Sequence, residues 1–176
     1  MSTRFVLAAV LAAIVAIPLT AQVQKQDIPG IRNYSRVDAT VGCGGAVDPA
    51  AMSVLKKEGY VSVINLRLAS EEGVDIEGAS AAAKAVDLNY IHIPFSSQTP
   101  EAAAADRFLG EIAKPANEPA FIHCAGGNRA ASMWLIKRLA VDHWDVDRAV
   151  KEAAALGQTS EPLRTFAIEY AKANKR

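Results

Sequence analysis

One ten-residue run carries the side chains of this chain best suited to chemistry: Phe121-Ile122-His123-Cys124-Ala125-Gly126-Gly127-Asn128-Arg129-Ala130. An apolar stretch leads into a thiol, crosses two glycines and reaches an arginine before helix-forming residues begin. Glycines let successive backbone N–H groups turn toward one centre. A helix N-terminus adds partial positive charge, and Arg129 adds a planar, permanently charged fork suited to tetrahedral oxyanions. All three favour negative charge at the centre of the loop, with Cys124 at its mouth. They also favour the thiolate. A reactive cysteine has a pKa of ~3.5–7.5 against ~8.5 for a free one. A drop of about three units takes ~4 kcal/mol. A helix terminus supplies at most ~2 kcal/mol of this, so loop amides and Arg129 must supply the rest. The run therefore reads as a nucleophile with an anion cradle, for covalent catalysis on a phosphate-like group. Cys124 and Arg129 are the catalytic candidates, Ala125 to Arg129 the phosphate-binding loop, and His123 a support that hydrogen-bonds the loop backbone.

Such a loop works only if elements on either side hold it. The chain has 176 residues, 51% of them apolar and 22% charged, with 19 basic and 19 acidic side chains. This supports a packed core, excludes a disordered chain, and lacks the basic field of a general nucleic-acid binder. Two cysteines exclude a disulfide scaffold or a Cys-built zinc site, and no Asp/Glu/His cluster has metal-ligand spacing. The chemistry proposed for the loop needs no metal and no cofactor.

At the N-terminus Arg4 precedes an apolar run from Phe5 to Leu19, short of the ~20 residues that cross a bilayer as a helix. This is the pattern of a secretory signal peptide over residues 1–21, cut before Gln22. The chain is then expected to be exported, periplasmic or extracellular, without a membrane span once the signal is removed. Residues 22–32 read as a polar leader and 33–176 as one domain.

Within that domain the patterns alternate. Strands are expected at Val37–Val41, Val61–Ile64, Tyr90–Ile93 and Ala120–His123. Helices are expected after Asp48-Pro49, over Ile76–Val86, from Thr99-Pro100-Glu101 to about Ala113, over Ala130–Val141, from Asp145 to Gly157, and over Ser160–Ala173. The Ala130–Val141 segment is apolar nearly all round, which marks a central helix. The alternation implies an α/β three-layer sandwich, with a mostly parallel sheet of 4–5 strands and helices on both faces. The loop after Ala120–His123 then falls at the C-terminal edge of the sheet, where sites form in such folds.

These residues resemble the active-site loop of the cysteine-dependent protein tyrosine phosphatase superfamily. Val61-Ser62-Val63-Ile64-Asn65-Leu66-Arg67 with Glu71, and Tyr90-Ile91-His92-Ile93-Pro94, resemble its dual-specificity-like branch. The resemblance is closest to the bacterial beta-lactamase-hydrolase-like phosphatase domain. It implies that Cys124 attacks phosphorus, that Arg129 clamps the phosphate, and that amides from Ala125 to Arg129 form the cradle. The partner is then a phosphorylated protein or small molecule.

Three features depart from the superfamily pattern. Four residues separate Cys124 from Arg129 rather than five, a loop length that rhodaneses also use. Ala130 stands where a hydroxyl residue often follows the arginine, with Ser132 one turn further on. No aspartate follows Pro94, which leaves Glu101 and Asp106 as general-acid candidates. Two other readings stay open: a sulfurtransferase or persulfide carrier, and an oxyanion- or partner-binding module with little catalysis. Outside the loop, Arg67 is expected to pair with Glu71 or Glu72, and His92 to be a half-buried strand residue. Cys43 follows a strand on the site side and is a thiol that approaches Cys124 or stands alone in a glycine turn.

Overall fold

The computed structural model describes residues 23–174. The expected signal segment lies outside the described residues. Six strands form one sheet: β1 (Gln24–Lys25), β2 (Ser35–Arg36), β3 (Val41–Gly44), β4 (Ser62–Asn65), β5 (Asn89–His92) and β6 (Ala120–His123), in the order β1-β2-β3-β6-β4-β5. The four strands β3, β6, β4 and β5 are parallel, and β1 and β2 extend the β3 edge antiparallel. Strand β6, last in the chain, lies between β3 and β4, with His123 level with Gly44 on one side and Asn65 on the other. The loop after β6 is therefore walled by the loops that leave both neighbours.

Strand alternation splits the core in two. Ala120, Ile122 and Cys124 face one side with Ile64 and Cys43. Phe121 faces the other, with Val63, Tyr34 and Tyr60. The second face is covered by α1 (Met52–Lys57) and α2 (Ile76–Lys84). The first is covered by α3 (Ala102–Ile112), α4 (Asn128–Ala140), α5 (Val146–Ala155) and α6 (Glu161–Ala173). The arrangement is the expected three-layer sandwich. Asp75, Asp145 and Ser160 cap α2, α5 and α6 by accepting backbone N–H bonds.

Helix α4 is the central one, buried along nearly its whole length. It also carries a charge. The buried Arg138 donates to Glu152 at 2.8 and 3.0 Å and to Asp142 at 2.9 Å, and stacks over Trp134 and Trp144. Glu152 also accepts from the Trp134 indole at 2.8 Å. A buried guanidinium is tolerated because these groups satisfy it.

Two expectations are corrected. The first inner strand is Val41–Gly44 rather than Val37–Val41. Gly42 belongs to the strand because an added Cβ would lie 2.1 Å from the Tyr60 hydroxyl, so only glycine lets that buried ring pack against the sheet. Residues 22–32 are also more than a leader, since β1 pairs with β2 and the Ile31 backbone bridges Val47.

Candidate active site

Strand β6 ends at His123, and α4 begins only five residues later at Asn128. The intervening turn reverses tightly at Gly127, which adopts φ +104°, a left-handed conformation that favours glycine. That conformation aims the Gly127 N–H at the Cys124 sulfur, 3.1 Å away. Among the described residues, the N–H groups of Ala125, Gly126, Asn128 and Arg129 donate to no protein acceptor. They are the open donors of a loop that leads into a helix N-terminus. Cys124 lies at the base of this loop and is 1% exposed.

Arg129 occupies the second position of α4 and is held by four bonds. Its Nη1 donates to Glu71 Oε1 at 2.6 Å, to the Phe95 carbonyl at 3.0 Å and to the Leu66 carbonyl at 3.3 Å. Its Nη2 donates to Glu71 Oε2 at 2.9 Å. The Nε–H and the second Nη2–H, which together form the side-on fork of the guanidinium, stay free of these partners. The charge of Glu71 and the nearby Cys124 thiol raise the Arg129 pKa against the opposing effect of burial.

Glu71 is the residue whose importance the sequence hid. Besides Arg129, its carboxylate accepts from Arg67 Nε at 3.1 Å and from the Leu68 N–H at 2.8 Å. The Arg129 hydrogen bond is the main reason its pKa falls to about 2. Glu71 is therefore a permanent anion that fixes the phosphate-clamp candidate, and it joins the loop after β4 to the first turn of α4. The one signal for it in the sequence was its place after the Val61–Arg67 strand motif. Arg67 pairs with Glu71 as expected and also donates to the Glu72 carbonyl at 2.6 Å. The half-buried His92 bonds the Arg67 carbonyl through Nε2 at 2.8 Å.

The remaining expected site residues fall as follows. Ala125, Gly126 and Gly127 line the loop. The Asn128 side chain is turned away from it, accepting from the Thr159 and Ser160 N–H groups at 2.9 and 3.1 Å and donating to Thr159 Oγ1 at 2.8 Å. Only its backbone can face an anion. His123 was expected to hydrogen-bond the loop. Instead its ring lies near the Gly45 and Cys124 backbone without completing a bond, and neither ring nitrogen has a partner. Burial lowers its pKa to about 4. The ring adjoins a cavity of about 60 Å³ shared with Asn65, Arg67 and Asp75.

The two acid candidates are not drawn into the loop. Asp106 accepts from the Tyr170 hydroxyl at 2.7 Å. Tyr170 lies ten residues along α6 from Ser160, its N-cap beside the loop, or about 15 Å at 1.5 Å per residue. Glu101 precedes α3 as an exposed residue whose side chain makes no cap bond. The Ser132 hydroxyl donates back to the Asn128 carbonyl at 2.8 Å, a bond along the helix.

Cys43 and Cys124 are both free and buried. Cys43 is level with Ile122, two residues before Cys124 on the adjacent strand. Strand spacing and rise place such a diagonal pair about 8 Å apart at Cα, beyond the ~7 Å that a disulfide spans. Burial, the largest effect, pushes the Cys43 thiol pKa well above its ordinary value. Cys43 is therefore a core thiol.

Asn33, another residue without a clear sequence signal, donates to the Gly126 carbonyl at 3.0 Å. The segment that carries it borders a cleft of about 410 Å³ beside the loop, lined in part by Lys25, Asn33, Gly126 and Gly157. This cleft adjoins the sulfur's loop but does not contain Cys124.

A mostly parallel sheet whose last strand is inserted centrally, and a Cys-to-Arg loop that opens the helix behind it, define a protein of the cysteine-dependent protein tyrosine phosphatase-like class. The chain belongs to the family described as beta-lactamase hydrolase-like protein, phosphatase-like domain, whose model matches residues 34–141. No curated protein sequence matches it. Solved structures do. A DUF442 protein of Shewanella putrefaciens CN-32 superposes with a TM-score of 0.70 at 17% identity, over 84% of this chain and 94% of that one. TpbA of P. aeruginosa gives 0.66 at 20% identity, over 89% and 92%. The core catalytic domain of the PP-IP phosphatase SIW14 of S. cerevisiae gives 0.64 at 18% identity, over 78% and 84%.

Proposed function

We propose that this protein is a cysteine-dependent phosphatase that hydrolyses phosphomonoesters through a phosphocysteine intermediate. The observation that carries this reading is the Glu71–Arg129 clamp, which leaves the Nε–H and one Nη2–H of Arg129 unused by Glu71 and the two carbonyls, on a guanidinium that interacts with the Cys124 sulfur, next to four open backbone donors. Cys124 attacks phosphorus, and the loop amides with Arg129 hold the non-bridging oxygens. Water then releases phosphate and restores the thiolate. Membership of a phosphatase-like family supports this reading over sulfur transfer. TpbA, a structural neighbour, is known as a variant in complex with phosphotyrosine, which makes aryl phosphates the first substrates to try.

The proposed roles are Cys124 as nucleophile, Arg129 as clamp, the amides of Ala125 to Arg129 as cradle, and His123 as a neutral support behind the loop. Hydrolysis of p-nitrophenyl phosphate by the wild type, abolished in Cys124→Ser, is the expected result. Retained turnover in that variant, or thiocyanate formation from thiosulfate and cyanide without phosphate release, defeats the reading. We further propose export, on the strength of Arg4 and the apolar run Phe5–Leu19. No helix among the described residues is long and apolar enough to cross a membrane.

A further inference from the structure

We propose that the site selects substrates by leaving group: it acts on aryl phosphates and phosphoanhydrides and discriminates against alkyl phosphomonoesters. The inference rests on the phosphatase reading and adds the substrate class. Its basis is the state of the groups from β4 to α4 that could give a proton to a departing oxygen; the exposed Asp27 lies in the cleft on the other side of the loop, beside Gly126.

The segment between β5 and α3, which walls the loop through the Phe95 carbonyl on Arg129, carries no carboxyl group from Pro94 to Pro100. Its Ser96 hydroxyl oxygen accepts from the Gln98 and Thr99 N–H groups at 3.2 and 3.1 Å, which closes a local turn. Glu71 is the carboxylate nearest the clamp, and two arginines and a backbone N–H hold it as an anion. His123 is buried, with its ring against the small cavity shared with Asn65 and Arg67, and burial keeps it neutral at neutral pH. His92 is bonded to the Arg67 carbonyl. Asp75 caps α2 through the Gly78 N–H, and Asp106 is engaged by Tyr170. Glu101 is exposed at the start of α3, and its side chain makes no cap bond.

The chemistry follows from this inventory. As the Cys124 thiolate forms the S–P bond, the P–O bond breaks and its electron pair leaves on oxygen. A phenolate, whose conjugate acid has a pKa of ~10 in tyrosine, or the oxygen of a departing phosphate, accepts that pair unprotonated. An alkoxide is far more basic and needs a donor. Water then attacks phosphorus, the S–P bond breaks, the thiolate returns, and both protons of the water stay with the phosphate released, as dihydrogen phosphate.

The test compares nitrophenyl phosphate, phenyl phosphate, phosphotyrosine, inorganic pyrophosphate and glycerol phosphate as substrates of the wild type, Glu101→Gln and Asp106→Asn. The expected result is a steep decline with leaving-group basicity, with the alkyl ester about 10²–10⁴-fold slower than the nitrophenyl ester, the factor a general acid would restore. Both variants should give the same series. The pyrophosphate arm separates anhydride from aryl substrates. Rates within about tenfold across nitrophenyl, phenyl and glycerol esters, a gap smaller than one general acid accounts for, overturn the proposal. So does a steeper series in either variant, because that identifies a working acid. Absence of any Cys124-dependent hydrolysis of nitrophenyl phosphate removes the phosphatase reading itself, a failure distinct from a flat series.

Discussion

Glu71 shows how much of a site lies in a residue that never touches the reacting atoms. A guanidinium on a flexible stem binds an anion well only if its plane is fixed beforehand. Two Glu71 oxygens and two backbone carbonyls fix it here. Glu71→Gln keeps the shape and removes the charge. A misplacement of about 1 Å costs on the order of 10²-fold in rate, so kcat/KM for nitrophenyl phosphate should fall by roughly that factor. Breaking a buried pair costs ~3–5 kcal/mol. The Glu71 side chain is 22% exposed, so the loss should lie at or below the lower end of that range. Denaturant unfolding of the variant checks the stability, and steady-state kinetics the rate. Unchanged kinetics in a folded Glu71→Gln protein would show that Arg129 orients without it.

At the scale of elements, the parallel core from β4 to α6 was legible because its signals are local. Apolar runs marked β4, β5 and β6, and Asp145 and Ser160 announced their helices as caps. The antiparallel extension was not legible. Strands β1 and β2 are two residues each and largely polar, so they carry no periodicity to read. Gly42-Cys43-Gly44 resembled a turn because glycine disfavours strands, and the Tyr60 ring packed on Gly42 shows why a strand needs glycine there. The Cys124–Arg129 loop was readable as a run. Its clamp was not, because Glu71 and Arg129 lie 58 residues apart in sequence. The two loop glycines now separate by prediction. Gly127 has φ +104°, so Gly127→Ala should cost ~1–2 kcal/mol and turn the amide away from the sulfur, with a large loss of activity. An added Cβ at Gly126 meets nothing within 4 Å, and Gly126→Ala should keep the wild-type melting temperature. Equal melting temperatures for both variants would contradict this assignment of the loop backbone.

For the whole molecule, two ionisable groups beside the loop set the response to acid, at different pH. His123 is neutral in the fold, with its pKa lowered from 6.5 to about 4 by burial. Between those values the unfolded chain takes up a proton that the folded chain does not. Stability is therefore complete above 6.5 and declines as pH falls toward 4, by on the order of 3 kcal/mol. Glu71 runs the same way lower on the scale. Its pKa falls from 4.5 to about 2 through the Arg129 bond, so its contribution is present above 4.5 and is lost as pH falls toward 2. Unfolding free energy measured by denaturant from pH 8 to 3 should thus fall in two overlapping stages, with no comparable decline from 8 to 7. His123→Gln should flatten the upper stage and spare the lower one, and Glu71→Gln should shrink the lower stage, to which Asp38 and Glu111 with their lowered pKa values also contribute, and spare the upper. Persistence of the upper stage in His123→Gln, or a His123 ring that titrates near 6.5 by NMR in the folded wild type, would show that the histidine behind the nucleophile is hydrated and available as a base. The proton inventory that restricts this site to good leaving groups would then have to be redrawn around it.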